Sequence, residues 1–441
     1  MFLASARLEA AFILIVFLSE SEGSLFMHVV VLGAGILGVS SAWYLREAGH
    51  QVTVIERQAE AALETSFANG SQLSAGHVEP WASPETFPQL LKWGFREDAP
   101  LLFRLRADPQ QWLWILRFLR ECWPQRSHRN LLALLNLGLY SRAAQMALHK
   151  QTGIAYQDQD RGILNLYPTF ADWNRGCRAA ALITRHGYPR TRVSQAEALV
   201  LEPALEASRS LWVGATYTPG DGSGDAKVWT QALARLCEAH DVSFRFNQTV
   251  QGLATDGRRI TGIALAGQTA LLEADAVVVA LGSYSAPLLR PLGLNIPVYP
   301  VKGYSATVPI LDPAAVPQVS ITDDAHKMVF TRLGDAFRIA GTAEFNGYDT
   351  SLNTARCNAL LARAQSLFPG AADYTRPTFW TGLRPATPSN LPLIGRTRMA
   401  NLFLNTGHGT LGWTTGCGSG KALAEIVSGR RPEVDFSFSG L

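Results

Sequence analysis

The chain has 441 residues, 47% of them apolar and 17% charged, with a net charge of +3. Single hydrophobic cores stop growing near roughly 250–300 residues, so the length implies two lobes, and the apolar content excludes wholesale disorder. The near-neutral charge, without any Lys/Arg run, excludes an electrostatic nucleic-acid binder; five scattered cysteines lacking a Cys-x-x-Cys pair suggest neither a disulfide framework nor a metal site, and read as buried reduced thiols.

Residues 1–26 carry Arg7 and an apolar run from Ala10 to Leu18. That run is too short to cross a bilayer, which takes about 20 apolar residues. Ser-Glu-Ser-Glu-Gly follows where a secretory signal has small residues, so the stretch reads as an N-terminal extension from an upstream start, with Met27 as the working start. Residues 28–32 form an apolar run bounded by glycine and predict a buried parallel strand. Helical spacing over 36–48 and a second buried strand over 51–55 complete a βαβ unit. Residues 85–200 are mainly helical in pattern. Within them Gln111–Trp123 is crowded with aromatic and aliphatic side chains and lacks a clean polar face. It reads as a core helix, with a helix resting on a membrane surface as the alternative. Leu131–Thr152 reads as a long amphipathic helix.

Trp229–His240 predicts a helix and Val242–Phe246 a strand, with further strand-like stretches at 259–265 and 271–281. Residues 297–345 alternate in β fashion, and Ala355–Phe368 predicts a helix. The tail offers a strand at Leu402–Leu404, a glycine-rich turn and a helix over 416–428. Nucleotide-type elements thus stand near both ends. Each lobe is expected to be discontinuous: 27–95, 195–290 and 385–432 in a nucleotide-binding lobe, 96–194 and 291–384 in the other.

The strongest chemical signal follows the first strand, where Val31 and Leu32 lead into Gly33-Ala34-Gly35-Ile36-Leu37-Gly38. Gly33 allows the tight turn, Gly35 lets the backbone approach a pyrophosphate, and Gly38 lets the helix pack on the strand. The helix N-terminus then offers unpaired N–H groups and positive partial charge to phosphates. Glu56 lies 18 positions after Gly38, at the end of the second strand, where a carboxylate accepts from ribose hydroxyls; Arg57 follows it. Strand, helix, strand and acid in register mark a dinucleotide site. The cluster from Glu64 to Ser71 reads either as a phosphate- or ring-contacting loop, through Ser66 and Asn69, or as an ordinary turn. The segment Asn405 to Trp413 is a second strand-to-helix glycine turn. Backbone amides at Gly407, Gly409, Thr410, Leu411 and Gly412 are suited to the pyrimidine edge of a flavin, where negative charge grows on reduction; the alternative is a surface loop. Val250 and Gly282 join the cofactor candidates.

Val29–Glu56, Glu64-Thr65-Ser66, Tyr299–Ser305, Gly382–Pro388 and Asn405–Trp413 together resemble the bacterial D-amino acid dehydrogenase small-subunit family of the D-amino acid oxidase-like superfamily. The resemblance runs from Met27 to Pro432. It implies an α/β fold: a Rossmann-like FAD-binding domain with a second α+β substrate domain built on a mixed β-sheet. It implies non-covalent FAD, because Gly382 stands near where related oxidases carry an attaching cysteine. It implies oxidative deamination of D-amino acids to 2-oxo acids and ammonia. Electrons would pass to a quinone or other respiratory acceptor, from a cytoplasmic enzyme in peripheral contact with the inner membrane. The N-terminal extension has no counterpart in the family. His77 and Glu79 occupy a loop where the family carries small or aromatic residues, which leaves substrate preference open.

The chemistry so implied is hydride transfer from Cα–H of the neutral amine to flavin N5. Arg384 is the first choice for a bidentate grip on the substrate carboxylate, a structural ion pair being its alternative. Tyr304 is a second donor or a pocket wall, against a buried strand tyrosine; Lys302 lies on the N5 side or at the surface. His408 and His77 are candidates for the amine's extra proton, against satisfied structural histidines. Three other readings stand beside this one: an oxygen-using amine oxidase of the sarcosine, glycine or proline-derivative type, a non-catalytic nucleotide-binding protein, and an NAD-dependent dehydrogenase, which the second glycine turn disfavours.

Overall fold

A computed structural model of the protein describes residues 26–84, 86, 97 and 99–434. The expected N-terminal extension lies, up to residue 25, outside the described residues. The chain builds two large sheets. The first has six strands in the order Leu393–Arg396, Leu402–Thr406, Ala276–Val279, His28–Leu32, Gln51–Ile55 and Ser243–Arg245. All neighbours pair in parallel except the first two. Val29 and Val31 point to one face, into a core shared with Val39, Trp229, Leu233 and Leu423. Val30 and Leu32 point to the other face, beside Val277, Val279, Leu402 and Leu404. Burial on both faces is why the strand is an unbroken apolar run rather than an alternating one. The parallel arrangement has a direct consequence for function. Strands 28–32, 276–279 and 402–406 are neighbours, so the turns that follow each of them meet at one edge.

The second sheet has nine strands. The path runs Thr378–Ala386, Tyr299–Pro309, Ala336–Phe345, Met328–Leu333, Ser320–Asp323, Ile163–Tyr167, Gly214–Thr218 and Thr191–Ser194, with Leu101–Phe103 beside Ala336–Phe345. It is mixed: Ser320–Asp323 pairs with Ile163–Tyr167 in parallel, while its other neighbour is antiparallel. Its core gathers Val308, Phe330, Phe337, Leu360 and Phe368.

Three expectations change. The sequence reading puts 195–290 in the nucleotide lobe, yet Gly214–Thr218 pairs with Ile163–Tyr167 and Thr191–Ser194 in the second sheet. Non-local pairing leaves no mark in the strand's own residues. The expected boundaries put the long helix, Pro124–Thr152, in the second lobe, but Leu137, Ala144 and Leu148 sit in the nucleotide-lobe core. The tryptophan-rich segment is a helix over Pro109–Glu121, begun by Asp108 accepting from the Gln110 N–H. It packs on the second sheet as expected of a core helix, but through one side only: Trp114 and Phe118 lie against Tyr299 and Phe345, with Gln111 buried beside them, while Trp112, Leu113 and Leu116 are exposed, as is Trp123 beyond its end. A segment whose aromatic and aliphatic residues stand on every side, with Arg117 and Arg120 among them, does not reveal which side will be covered.

Candidate functional site

A cavity of about 1100 Å³ opens between the two sheets and is lined by both glycine turns, Gly33 and Gly35 from the first and His408 to Gly412 from the second. It lies outside the carboxyl ends of the parallel strands, where ligands of open α/β sheets bind.

The three glycines of the first turn have separable roles. Gly33 has φ +101°, and a Cβ there would lie 2.7 Å from the Ala280 carbonyl oxygen. At Gly38 a Cβ would lie 1.8 Å from the Gly33 carbonyl oxygen. Both are demanded by the protein's own packing. Gly35 is not: a Cβ would meet only Ser66 Oγ, at 3.6 Å, and the residue faces the cavity. The space above Gly35 is a cradle that a side chain would fill. Beside it, the Ile36 N–H donates to Ser66 Oγ at 3.2 Å, and the helix has no side-chain N-cap. The first turn therefore keeps N–H groups for an anion. Glu56 Oε2 accepts from the Ala34 N–H at 2.8 Å and Oε1 from the Gln58 N–H at 2.8 Å, which fixes the carboxylate where ribose hydroxyls would donate. Arg57 pairs with Glu64 and lies over the Tyr284 ring, 4.0 Å from its centroid. Asn69, Val250 and Gly282 also line the cavity, whereas Val31, Ala34, Gly38 and Gly407 shape the turns from behind. A two-pronged cradle with a fixed acid at one end fits an FAD molecule, and none of the five cysteines lines it.

At the far end, Arg384 reaches the cavity from strand Thr378–Ala386. Its guanidinium lies across Gly303 of the neighbouring strand, where a Cβ would come within 2.5 Å of Cζ and both terminal nitrogens. Nη1 donates to the Thr342 carbonyl at 2.9 Å on the next strand over. Thr342 is the extra residue of a bulge. Lys302 pairs with Glu344 and Tyr304 with Gly341, so Gly303 alone opposes Thr342 and Ala343. Its φ is +55°, a left-handed conformation usually given to glycine at such bulges and costing a β-branched residue about 1–3 kcal/mol. Among the described residues no carboxylate pairs with Arg384. Removal from water, with Arg356 nearby, pushes its pKa down to about 10, so it stays a cation at neutral pH.

The other sequence candidates fare differently. The Tyr304 hydroxyl donates to Glu344, and burial together with that carboxylate pushes its pKa up; the hydroxyl is committed and the ring serves as wall. Lys302 is buried against Glu344 (3.4 Å) and Asp349 (3.1 Å) and is not among the residues lining the cavity, so it does not stand on a flavin face. His408 lines the cavity with Nε2 3.0 Å from Ser419 Oγ. Burial lowers its pKa to about 3, so it is a neutral ring that cannot store an amine proton. His77 lines the cavity between Glu79 (3.3 Å) and Asp324 (3.9 Å); burial lowers its pKa against the pull of Glu79. Arg190 pairs with Glu79 and closes this cluster. Sequence reasoning missed Arg190, Arg356 and the Thr342 bulge. Only Gly303 carried a signal, as the glycine inside an otherwise strand-forming Val301–Val308 run.

The family model of FAD-dependent oxidoreductases designated DAO matches residues 28–426. The D-amino acid dehydrogenase of Dechloromonas aromatica (strain RCB) is 53% identical over 415 residues, covering 93% of this chain and 99% of that protein. The D-amino acid dehydrogenase of Paramagnetospirillum magneticum is 50% identical over 416 residues, covering 94% and 98%. Glycine oxidase from Geobacillus kaustophilus shares the fold, with a TM-score of 0.73 at 24% identity over 94% of this chain and 98% of that one. A near full-length family match on a chain whose two glycine turns open onto one cavity settles the grouping: the chain belongs to the DAO family of FAD-dependent oxidoreductases.

Proposed function

We propose that the chain oxidises D-amino acids to 2-oxo acids and ammonia and passes the electrons to a membrane quinone. The observation that carries the substrate class is Arg384: a cation at the cavity wall with a backbone carbonyl as its hydrogen-bond partner. The remaining N–H groups of the guanidinium fork suit a carboxylate, which they grip bidentately. The relatives' activity, D-amino acid dehydrogenation, supplies the configuration and the reaction.

FAD, when bound, supplies the acceptor for a hydride from the substrate Cα. Arg384 binds and orients the carboxylate, so that Cα is held at a fixed distance from the glycine-lined floor. Neutral His408 adds no positive charge beside the amine. His77, which burial keeps neutral between Glu79 and Asp324, offers a ring nitrogen to accept a hydrogen bond from the substrate amine, and Asp324 in turn pairs with Lys327 at 2.8 Å toward the surface. The imine hydrolyses in water.

A membrane-delivered acceptor is supported by the exposed face of helix Pro109–Glu121. Trp112, Leu113 and Leu116, with Trp123 beyond, form an apolar strip interleaved with Arg117 and Arg120, a composition suited to an anionic bilayer surface at the cytoplasmic side. The test of the reaction is anaerobic. Yellow holoenzyme mixed with D-amino acids bleaches, and L-amino acids or amines lacking a carboxylate leave it yellow. Holoenzyme that no D-amino acid bleaches would overturn the assignment.

A further inference from the structure

Three adjacent strands hold Arg384 at the cavity. It starts opposite Val301, and its guanidinium crosses the sheet surface at Gly303 to end at the Thr342 carbonyl. The crossing is open because position 303 has no side chain: a Cβ there would stand 2.3 Å from Nη1, 2.4 Å from Cζ and 2.5 Å from Nη2. The Gly303 backbone itself does not ask for glycine: the bulge is carried by the opposite strand, and Gly303 is absent from the positive-φ residues. In a strand interior glycine is a liability, giving no packing and losing the most entropy. At the far end, the left-handed Thr342 presents its carbonyl to the guanidinium from an unfavourable conformation. Two locally unfavourable choices therefore converge on one side chain.

We infer that Gly303 is a specificity-determining positioning residue: the absence of a side chain there, with the Thr342 carbonyl as the terminus, is what makes the enzyme select α-amino acids over simple amines. The inference rests on the carboxylate-binding reading of Arg384. A methyl group at 303 meets the far end of a flexible side chain, not backbone. The fold can accommodate it by expelling the guanidinium from its seat. Gly303→Ala should thus keep the sheet and the FAD site and lose the carboxylate grip.

The probe is 2-aminoisobutyrate, an α-amino acid with no Cα–H, which binds without being oxidised; isopropylamine is its counterpart lacking the carboxylate. Dissociation constants are read from the flavin absorption shift of holoenzyme. Gly303→Ala should weaken 2-aminoisobutyrate about tenfold or more, the loss expected when a charged hydrogen bond goes, leave isopropylamine within about twofold, and raise KM for D-amino acids more than it lowers kcat. Arg384→Met should show the same pattern. Because position 303 acts through Arg384, the double variant Gly303→Ala/Arg384→Met should bind no worse than Arg384→Met alone. Unchanged 2-aminoisobutyrate affinity in Gly303→Ala, with Arg384→Met impaired, refutes the inference and leaves the carboxylate reading intact. Unchanged affinity in Arg384→Met removes the carboxylate reading itself, and the inference with it. Additive losses in the double variant also refute it. Should Gly303→Ala fail to load FAD, recovery of loading in the double variant supports the clash with the guanidinium, and failure of both overturns it.

Discussion

The separable roles of Gly35 and Gly38 make a sharp test of the cofactor cradle. Gly35 has φ −72° and ψ 179°, a backbone any residue adopts. Alanine there would restrict the unfolded chain, worth about 0.4–1 kcal/mol of stability, and would be a poorer helix cap by a similar amount. Its Cβ meets Ser66 Oγ at 3.6 Å, an ordinary contact. The two backbone effects nearly cancel, so Gly35→Ala apoprotein should melt within a few degrees of the parent. Its FAD affinity should nevertheless fall, because the methyl occupies the cradle above the helix N-terminus. Overpacking of about 1–3 kcal/mol corresponds to roughly five- to 150-fold in affinity. Gly38→Ala reverses the pattern: a Cβ 1.8 Å from the Gly33 carbonyl oxygen forces strand and helix apart, and the apoprotein itself should be destabilised by about 3 kcal/mol or more. The assay is FAD fluorescence quenching on titration into apoprotein, with thermal melts of each apoprotein. Parent-like FAD affinity in Gly35→Ala, or unfolding of that apoprotein comparable to Gly38→Ala, would refute the division of roles.

Two further outcomes are expected. Asp221 is buried, accepts from Ser74 Oγ, the Gly76 N–H and the Tyr188 hydroxyl, and has its pKa raised by burial from 3.8 to about 6. The fold binds that proton more tightly than the unfolded chain does, so its contribution to stability is fully present below about 3.8 and is lost as pH rises through about 6. The difference in unfolding free energy between parent and Asp221→Asn should therefore change by up to roughly 3 kcal/mol between pH 4 and 7; a pH-independent difference from denaturant titrations would contradict this. Replacing Trp112, Leu116 and Trp123 together by serine should lower partitioning onto anionic vesicles at least about tenfold, since each buried apolar side chain is worth about 1.5–3 kcal/mol, while turnover with a water-soluble dye stays unchanged. Equal co-sedimentation of parent and variant would remove the membrane-surface proposal.

Much of the nucleotide lobe is written locally. The run Val29–Leu32, the turn Gly33–Gly38 and the acid Glu56 each need their residue types for reasons confined to about thirty positions: a strand covered on both faces, a turn with φ +101°, a helix start left free for an anion. The second glycine turn was legible too, as a strand-to-helix junction. Its partnership with the first was not. That depends on strands 28–32, 276–279 and 402–406 lying side by side and parallel, a matter of pairing across more than three hundred residues. The same holds at the substrate end. Arginine at 384 announces a carboxylate by its chemistry, but its seat is made by Gly303 and Thr342 on two other strands. A threonine in left-handed conformation leaves no trace in a sequence, because only the bulge register imposed by the surrounding sheet holds it there. Likewise Tyr304 and Lys302 read as functional from their types, and it is the buried Glu344 between them that claims both. The sequence determined which chemical groups the protein possesses and where its strands and helices begin. Tertiary pairing decided which of those groups are left uncompensated at a cavity, since a charge or a donor is free to act only when no neighbour brought by the fold satisfies it first.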